Sequence, residues 1–193
     1  MNTEETIELD GCNYRFLEEL KVLDEKVDGR ECAVRPCVDT PDVTFFRHGI
    51  RAVYAYREPA EWFRCGVITV PALSFRETNK YNNSELEFRA PDGGFTSEGE
   101  AVMKDKIRTI YRAALHNGHD ALVLGAFGCG VFKLRPDLVA ELFDAVLHEP
   151  EFDRRFKSVV FAILEGTARK PVEELGKFAP FYERFGRCRS RKS

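Results

Sequence analysis

Hydrophobic and polar positions along the chain follow two periods, one typical of buried strands and one of amphipathic helices. Runs of β-branched and aromatic residues predict strands at 43–46 (VTFF), 66–73 (GVITVPAL), 121–127 (ALVLGAF) and 158–164 (SVVFAIL). The run at 121–127 is apolar almost throughout. We therefore expect a central parallel strand that is covered on both faces of its sheet.

Helical periodicity fills the intervals after these strands. The first predicted helix runs from about Ser97 to His116, and its buried stripe is Met103, Ile107, Ile110, Tyr111 and Ala114. Ser97 and Glu100 have the spacing of a capping box, and Asn117-Gly118 is a C-terminal stop signal.

Two further helices follow. A second helix opens at Pro136, and its buried stripe is Leu138, Val139, Leu142, Phe143, Val146 and Leu147. A third runs from Pro171 to about Phe185 and is bent or broken near Pro180. Strands that alternate with helices in this way predict an α/β fold with βαβ crossovers and a parallel or mixed sheet.

The remaining segments are weakly patterned. Residues 1–40 are charged and irregular, with a strand predicted at IELDG and a short helix predicted from Tyr14 to Leu23. The polar stretch 74–95 is predicted to be a long loop. We therefore expect an irregular N-terminal segment (1–40), one α/β domain (41–186) and a basic tail (187–193).

The composition of the chain argues against several classes of protein. The 193 residues carry a net charge of −3, which argues against general electrostatic binding to nucleic acid. No apolar run has the length of a membrane span, and the acidic first residues lack the features of a signal peptide. The six cysteines are scattered, so we expect free thiols and an intracellular, most simply cytoplasmic, protein. No metal site and no cofactor are expected.

Candidate chemistry concentrates in the turn GAFGCGVF at 125–132, between the strand at 121–127 and the helix that opens at Pro136. Ligands of open α/β sheets bind at the carboxyl ends of strands, and three glycines in six residues let the backbone approach a phosphate group closely. The structural alternative is a tight turn that needs glycine only for its backbone conformation. No Gly-Lys-Ser/Thr follows, so the turn is not a P-loop. Cys129 lacks the small neighbours of a nucleophile elbow, which favours a structural thiol.

The segment LVLGAFGCGVF, the following helix and VVFAIL resemble the microbial poly(ADP-ribose) glycohydrolase-like branch of the macrodomain family. DVTFFRHG and GVITVPAL also resemble that family's middle segment, so the resemblance covers roughly residues 41–165. It implies a macrodomain-like three-layer α/β/α sandwich with a mixed, largely parallel sheet, and ADP-ribose as ligand. The contacts that it implies around the diphosphate and distal ribose are Gly125, Phe127, Gly128, Cys129, Gly130, Val131 and Phe132.

The chain also departs from that family's pattern. Hydrolases of this branch carry a triple-glycine loop and a Gln-Glu-Glu before the DVTFFR-like segment, and residues 1–42 contain neither. Glu98 and Glu100 are substitute candidates for the catalytic acid, although a helix cap and a turn explain their segment without catalysis.

Three functions are compatible with these residues. The chain is a non-hydrolysing reader of ADP-ribose or a related nucleotide diphosphate, an ADP-ribosyl glycohydrolase with a non-standard acid, or a degenerate macrodomain that acts in protein interaction. The expected partners are ADP-ribose or ADP-ribosylated protein, and not membrane or nucleic acid. If early strands of the domain are missing, an uncovered sheet edge favours a homodimer.

Overall fold

The computed structural model describes residues 6–9, 12–16, 37–49, 52–76, 83–164 and 176–186. They belong to two compact units, one formed by residues 1–70 and the other by residues 71–193. Among the described residues, no helix combines the length and apolarity needed to cross a lipid bilayer.

The first unit is a four-stranded antiparallel sheet in the order β1-β2-β3-β4. Its strands are β1 (Thr6–Leu9), β2 (Cys12–Phe16), β3 (Val38–Phe45) and β4 (Phe63–Thr69). The register between β3 and β4 shifts between Thr40 and Val43. Pro41 lies at this irregularity, as expected for a residue that cannot donate a ladder hydrogen bond.

Sequence predictions for this unit are mostly confirmed. β1 overlaps the predicted IELDG strand at residues 7–9, β3 includes most of VTFF but begins earlier, and β4 begins before the predicted strand at 66–73 and ends before Pro71. The predicted helix from Tyr14 to Leu23 is wrong for residues 14–16, which lie in β2 because their backbone pairs with neighbouring strands. Residues 17–23 lie outside the described part of the chain.

The second unit consists of helices and a two-stranded sheet. Its elements are α1 (Ser97–His116), β5 (Ala121–Leu124), α2 (Pro136–Leu147), β6 (Ser158–Phe161) and α3 (Phe178–Phe185). β5 and β6 pair in parallel, with Leu122 opposite Val159, and α2 forms the crossover between them. This arrangement confirms the predicted βαβ connection.

Helix α1 has the predicted bounds, and every residue of its predicted apolar stripe is buried. Its cap differs from the prediction. The side chain of Thr96 accepts a hydrogen bond from Gly99 N–H at 3.1 Å, so Thr96 and not Ser97 is the N-cap. Ser97 already lies inside the helix, and no capping box forms with Glu100.

The core of the second unit is centred on Tyr111, which is fully buried. Its ring contacts the rings of Phe143 on α2 and of Phe152 and Phe156 in the turn that follows. Arg108 reinforces this packing, because its guanidinium binds both carboxylate oxygens of Glu149 at 2.6 and 2.8 Å. Helix α1 is thereby fixed to α2 and to the turn at 149–156.

Among the described residues, nothing fully covers one face of the parallel pair, which corrects the expectation for residues 121–127. Leu122 is buried, but Val123 is 75% exposed and Val160 is 50% exposed. The strand of this segment also ends at Leu124, so residues 125–127 belong to the following turn. Side chains of a strand alternate between faces, and an all-apolar run does not determine that both faces are covered.

Two other predictions are corrected. Within the segment 74–95, which was predicted to be a loop, Asn83–Phe88 form a 3-10 helix. A second 3-10 helix, Pro59–Glu61, precedes β4. Helix α3 runs unbroken through Pro180, which lies in the first helical turn where no N–H donor is required. Residues 171–175 of the predicted third helix lie outside the described part of the chain.

Candidate functional site

The turn Gly125–Phe132 connects the carboxyl end of β5 to the segment that enters α2. The strand pairing is maintained up to the start of the turn, because Ala162 N–H donates to the carbonyl of Leu124 at 2.7 Å. The glycine-rich turn therefore starts from a fixed point at the end of a paired parallel strand. This is the position at which α/β proteins bind ligands.

Gly128 has a backbone conformation and an environment that only glycine suits. Its φ is +74°, in the left-handed region. A Cβ built at this position would lie 2.4 Å from Leu134 Cδ1 and 3.0 Å from the Cβ of Ala72. The backbone of the turn is thus pressed against a buried leucine and against the segment that follows β4.

Hydrogen bonds hold the turn in one shape. Cys129 N–H donates to Ala126 O at 3.0 Å, and Leu134 N–H donates to Gly128 O at 3.1 Å. At the end of the turn, the carbonyl of Phe132 accepts a hydrogen bond of 2.8 Å from the backbone N–H of Phe75.

Seven backbone N–H groups of this short turn donate no hydrogen bond to any residue that the structure describes. They belong to every residue of the turn except Cys129, namely Gly125, Ala126, Phe127, Gly128, Gly130, Val131 and Phe132. Closely spaced N–H groups with no internal acceptor are the donors from which anion-binding concavities are built. The backbone of the turn is therefore the candidate site for an anionic group.

The side chains of the turn divide into buried and exposed groups. Phe127 packs edge-on against Phe143, with ring centroids 6.3 Å apart, and Cys129 is 9% exposed. Val131 and Phe132 are exposed, and Gly130 has open space on its Cβ side. Any ligand contact of Cys129 would therefore be made mainly by its backbone, while Val131 and Phe132 present apolar surface.

The Cys129 thiol is not set up as a nucleophile. Burial raises its pKa to about 12, and the nearby ammonium of Lys177 opposes this only in part. Its Sγ lies 3.5 Å from the carbonyl oxygen of Phe127, to which the thiol donates. A nucleophilic cysteine needs a lowered pKa, so this geometry agrees with the structural thiol expected from the sequence.

Charged side chains near the start of α2 pair with one another. The guanidinium of Arg135 binds the carboxylate of Asp137 at 2.5 Å and lies 3.7 Å from a carboxylate oxygen of Asp92. The hydrogen bond from Arg135 lowers the pKa of Asp137. Charges at the start of this helix therefore largely compensate each other.

The two glutamates suggested as acids lie in the first turn of α1. Glu100 forms an ion pair with Lys104 at 2.6 Å. It also lines a cavity of about 250 Å³ with residues of α1, α2 and the turn before α1, and no residue of 125–132 lines that cavity. The structure does not bring Glu100 together with the glycine-rich turn. Glu98 is exposed and forms no described ion pair.

Sequence reasoning missed the residues that support the turn from behind. Ala72, Leu73, Ser74 and Phe75 are all buried, and Ser74 N–H donates to a carboxylate oxygen of Glu85 at 2.8 Å. The apolar run that continues past Pro71 was the available signal, but it was assigned to the end of a strand. Among the described residues, no cluster of histidine, cysteine or carboxylate side chains has the arrangement of a metal site.

Comparisons with known proteins find solved structures with a similar fold. No protein-family model and no curated protein matches the chain. The solved poly(ADP-ribose) glycohydrolase of Thermomonospora curvata is 31% identical, with a TM-score of 0.59, over 77% of this chain and 47% of that one. A structure of the same enzyme bound to the inhibitor ADP-HPD matches with the same identity and TM-score, over 77% and 48%.

A second organism supplies a further match. The poly(ADP-ribose) glycohydrolase of Deinococcus radiodurans in complex with ADP-ribose is 26% identical, with a TM-score of 0.59, over 78% of this chain and 52% of that one. The chain spans about half the length of the solved structures that it matches. These matches confirm the predicted α/β class and the predicted resemblance to the poly(ADP-ribose) glycohydrolase-like branch of the macrodomains.

Proposed function

We propose that this chain binds ADP-ribose, with the backbone of Gly125–Phe132 around the diphosphate, and that it does so as a reader without hydrolysing its ligand. The observation that carries the proposal is the turn at the end of β5, in which seven backbone N–H groups lack an acceptor among the described residues. A diphosphate supplies several anionic oxygens in a compact volume, which matches closely spaced donors of this kind.

Structural relatives support the choice of ligand. One of the matched proteins was solved in complex with ADP-ribose and another with the inhibitor ADP-HPD. Both are poly(ADP-ribose) glycohydrolases, so the fold of this chain occurs in proteins that recognise ADP-ribose chemistry. Free ADP-ribose and ADP-ribosylated protein are accordingly the proposed partners.

Individual residues have distinct proposed roles. Gly128 gives the turn its left-handed bend and its close contact with Leu134. Gly125 and Gly130 keep the surface of the turn free of side chains, so that phosphate oxygens can reach the N–H groups. Phe132, which is 38% exposed, and Val131 supply apolar surface for the ribose. Phe127 and Cys129 hold the turn to the core.

We propose that the chain does not hydrolyse its ligand because no suitable catalytic carboxylic acid for the reaction is found among the described residues. The chain contains no glutamine, so the Gln-Glu-Glu that the family resemblance implies for a hydrolase does not occur in it. Of the two substitute candidates, Glu100 is engaged by Lys104 and lines a different cavity. Cleavage of a glycosidic bond needs a carboxylic acid within reach of the leaving oxygen, and the Asp137 carboxylate, which lies near Cys129 of the turn, is bound by Arg135.

Calorimetric titration with ADP-ribose tests the binding site. Gly130→Glu should abolish detectable binding, because it places a carboxylate beside the proposed phosphate donors in a position with no neighbouring atom within 4 Å. Gly49→Glu is the matched control, since Gly49 also has open space and lies in the first unit. Undiminished affinity in a folded Gly130→Glu protein would refute the site.

Catalysis is tested separately by incubating the protein with ADP-ribosylated protein and measuring the release of ADP-ribose. We expect no release above that of Gly130→Glu. Robust turnover would show that the chain is a glycohydrolase and not a non-hydrolysing reader. Loss of turnover in Glu98→Gln or Glu100→Gln would then identify the catalytic acid. A wild-type chain that neither binds nor cleaves would leave the protein-interaction macrodomain as the function.

A further inference from the structure

Three exposed aromatic rings form a second feature, on the hairpin that extends β3 and β4. Phe46, Tyr56 and Trp62 are 40%, 67% and 49% exposed. The Phe46 ring centroid lies 5.9 Å from that of Tyr56 and 6.1 Å from that of Trp62, so the three rings are contiguous. These three residues are called the aromatic platform below. They lie outside the glycine-rich turn and have no part in the function proposed above.

The backbone beneath the platform is well ordered by hydrogen bonds. Arg57 N–H donates to Phe46 O, and His48 N–H donates to Ala55 O, both at 2.9 Å. The indole N–H of Trp62 donates to the carbonyl of Arg57 at 3.2 Å. The rings are therefore held in place by main-chain pairing and do not depend on burial for their position.

An arginine is built into the platform. The guanidinium of Arg47 lies 4.1 Å from the centroid of the Tyr56 ring and 5.7 Å from that of Phe46. It also donates to the Tyr56 hydroxyl at 2.6 Å and to the carbonyl of Tyr54 at 3.3 Å. Stacking of this kind fixes a positive charge at the surface beside flat apolar rings.

A second guanidinium lies next to the platform. Arg57 donates through Nε to the carbonyl of Arg47 at 3.2 Å, and its two terminal nitrogens donate no hydrogen bond to a described residue. Of the nearby carboxylates, Glu61 lies 3.8 Å from His48 Nε2. The terminal nitrogens of Arg57 are thus available to an anionic ligand.

Aromatic rings and arginines on one exposed hairpin are the chemistry that recognises a nucleotide chain. Bases stack on exposed rings without regard to sequence, and guanidiniums bind the phosphates between them. Exposed and contiguous apolar surface of this kind marks an interaction site. A purely apolar partner would leave the two guanidiniums without an anionic counterpart.

We propose that the aromatic platform binds nucleotide units of a poly(ADP-ribose) chain, with bases on Tyr56 and Trp62 and phosphates at Arg47 and Arg57. The proposal rests on the function proposed above, which selects ADP-ribose chemistry among nucleotide chains. It adds a contact surface on the first unit that single ADP-ribose units do not need for binding to the glycine-rich turn.

Fluorescence polarisation with labelled poly(ADP-ribose) of defined length, and calorimetry with monomeric ADP-ribose, test the proposal on the full chain. Tyr56→Ala and Trp62→Ala should each weaken polymer binding at least tenfold and leave monomer binding unchanged. Tyr56→Phe keeps the ring and should bind the polymer nearly as wild type does. Tyr182→Ala is the matched control, because Tyr182 is a 48% exposed aromatic residue on α3 in the other unit.

Several outcomes would overturn the proposal. If Tyr56→Ala and Trp62→Ala both bound the polymer as strongly as the wild type, the platform would be refuted. The function proposed for the glycine-rich turn would still stand if these proteins bound monomeric ADP-ribose. Equal binding of single-stranded oligoadenylate would assign the platform to nucleic acid instead. Loss of self-association in Tyr56→Ala, without any change in polymer binding, would assign it to a protein interface. Failure of the wild type to bind the monomer would refute the proposed function itself, and the polymer arm would still report on the platform.

Discussion

At the scale of single residues, the glycines of the turn differ in what they do. Gly128 has a positive φ and is in close contact with Leu134, whereas Gly130 is open on its Cβ side. The first glycine is required by the fold, and the second is required only if a ligand approaches the backbone. Stability and binding measurements can therefore separate the two roles.

Alanine at these two positions makes the difference measurable. Gly128→Ala should lower the free energy of unfolding by roughly 2–4 kcal/mol, from left-handed strain and the clash with Leu134. Gly130→Ala should change it by less than about 0.5 kcal/mol. Urea unfolding checks both values. Equal stability of the two variants would show that the turn does not have the described backbone conformation.

The two buried thiols should make the free energy of unfolding decrease at alkaline pH. Burial raises the pKa of Cys37 to about 11 and that of Cys129 to about 12. In the folded state both thiols keep their protons above about pH 9, where the unfolded chain releases them. The folded state then binds more protons than the unfolded one, so stability is present below pH 9 and is lost as the pH rises through 11 and 12.

Urea unfolding between pH 8 and 11 tests this coupling. Each thiol contributes at most about 1.4 kcal/mol of lost stability per pH unit in that range. A Cys37→Ala/Cys129→Ala double variant should lose stability less steeply than the wild type. Cys65→Ala is the control, because Cys65 is exposed. Parallel slopes for the wild type and the double variant would contradict the coupling.

At the scale of elements, the sequence at the start of helix α1 is compatible with two different N-cap residues. Thr96 and Ser97 are both good N-cap residues, and the structure selects Thr96, whose hydroxyl accepts from Gly99 N–H. Gly99 itself is pressed against Phe88, with a built Cβ only 2.6 Å from the carbonyl oxygen of that residue. Packing against the 3-10 helix at 83–88 thus fixes the start of α1.

The two capping candidates can be compared directly. Thr96→Ala should lower the free energy of unfolding by about 1 kcal/mol, because it leaves Gly99 N–H without its side-chain acceptor. Ser97→Ala should have little effect, since Ser97 is exposed and makes no capping hydrogen bond. Thermal or urea unfolding of the two variants measures the difference. A larger loss for Ser97→Ala would place the cap one residue later.

Elements with strong local signals were predictable from the sequence. Periodicity and the N1 proline determine the bounds of α1 and the start of α2, and glycine density located the turn at 125–132. Features that depend on neighbours in space were not. The exposure of Val123 depends on which elements cover β5, and the support of the turn by Ala72 and Phe75 depends on contacts across more than about 55 residues of chain.

At the scale of the whole molecule, the two-stranded sheet of the second unit is incompletely covered. Among the described residues, β5 and β6 pair only with each other, so each strand has one edge without a strand partner. The chain also spans only about half the length of the matched solved structures. An open strand edge beside an apolar face favours pairing with another polypeptide.

We therefore expect the chain to self-associate through the open sheet edge of β5 and β6, with the exposed apolar side chains beside it buried in the interface. Val123, Val160 and Leu164 are 75%, 50% and 72% exposed, and burying aliphatic side chains of this size contributes roughly 1.5–3 kcal/mol each. In a two-fold dimer each substitution occurs twice, so Val123→Lys or Val160→Lys places two ammonium groups in one apolar interface.

Analytical ultracentrifugation across a concentration series should show the wild type shifting to dimer and both variants remaining monomeric. Val53→Lys, an exposed valine of the first unit, should dimerise like the wild type. A wild type that stays monomeric at high concentration would contradict the interface, and a dimer insensitive to both lysines would place it elsewhere on the chain.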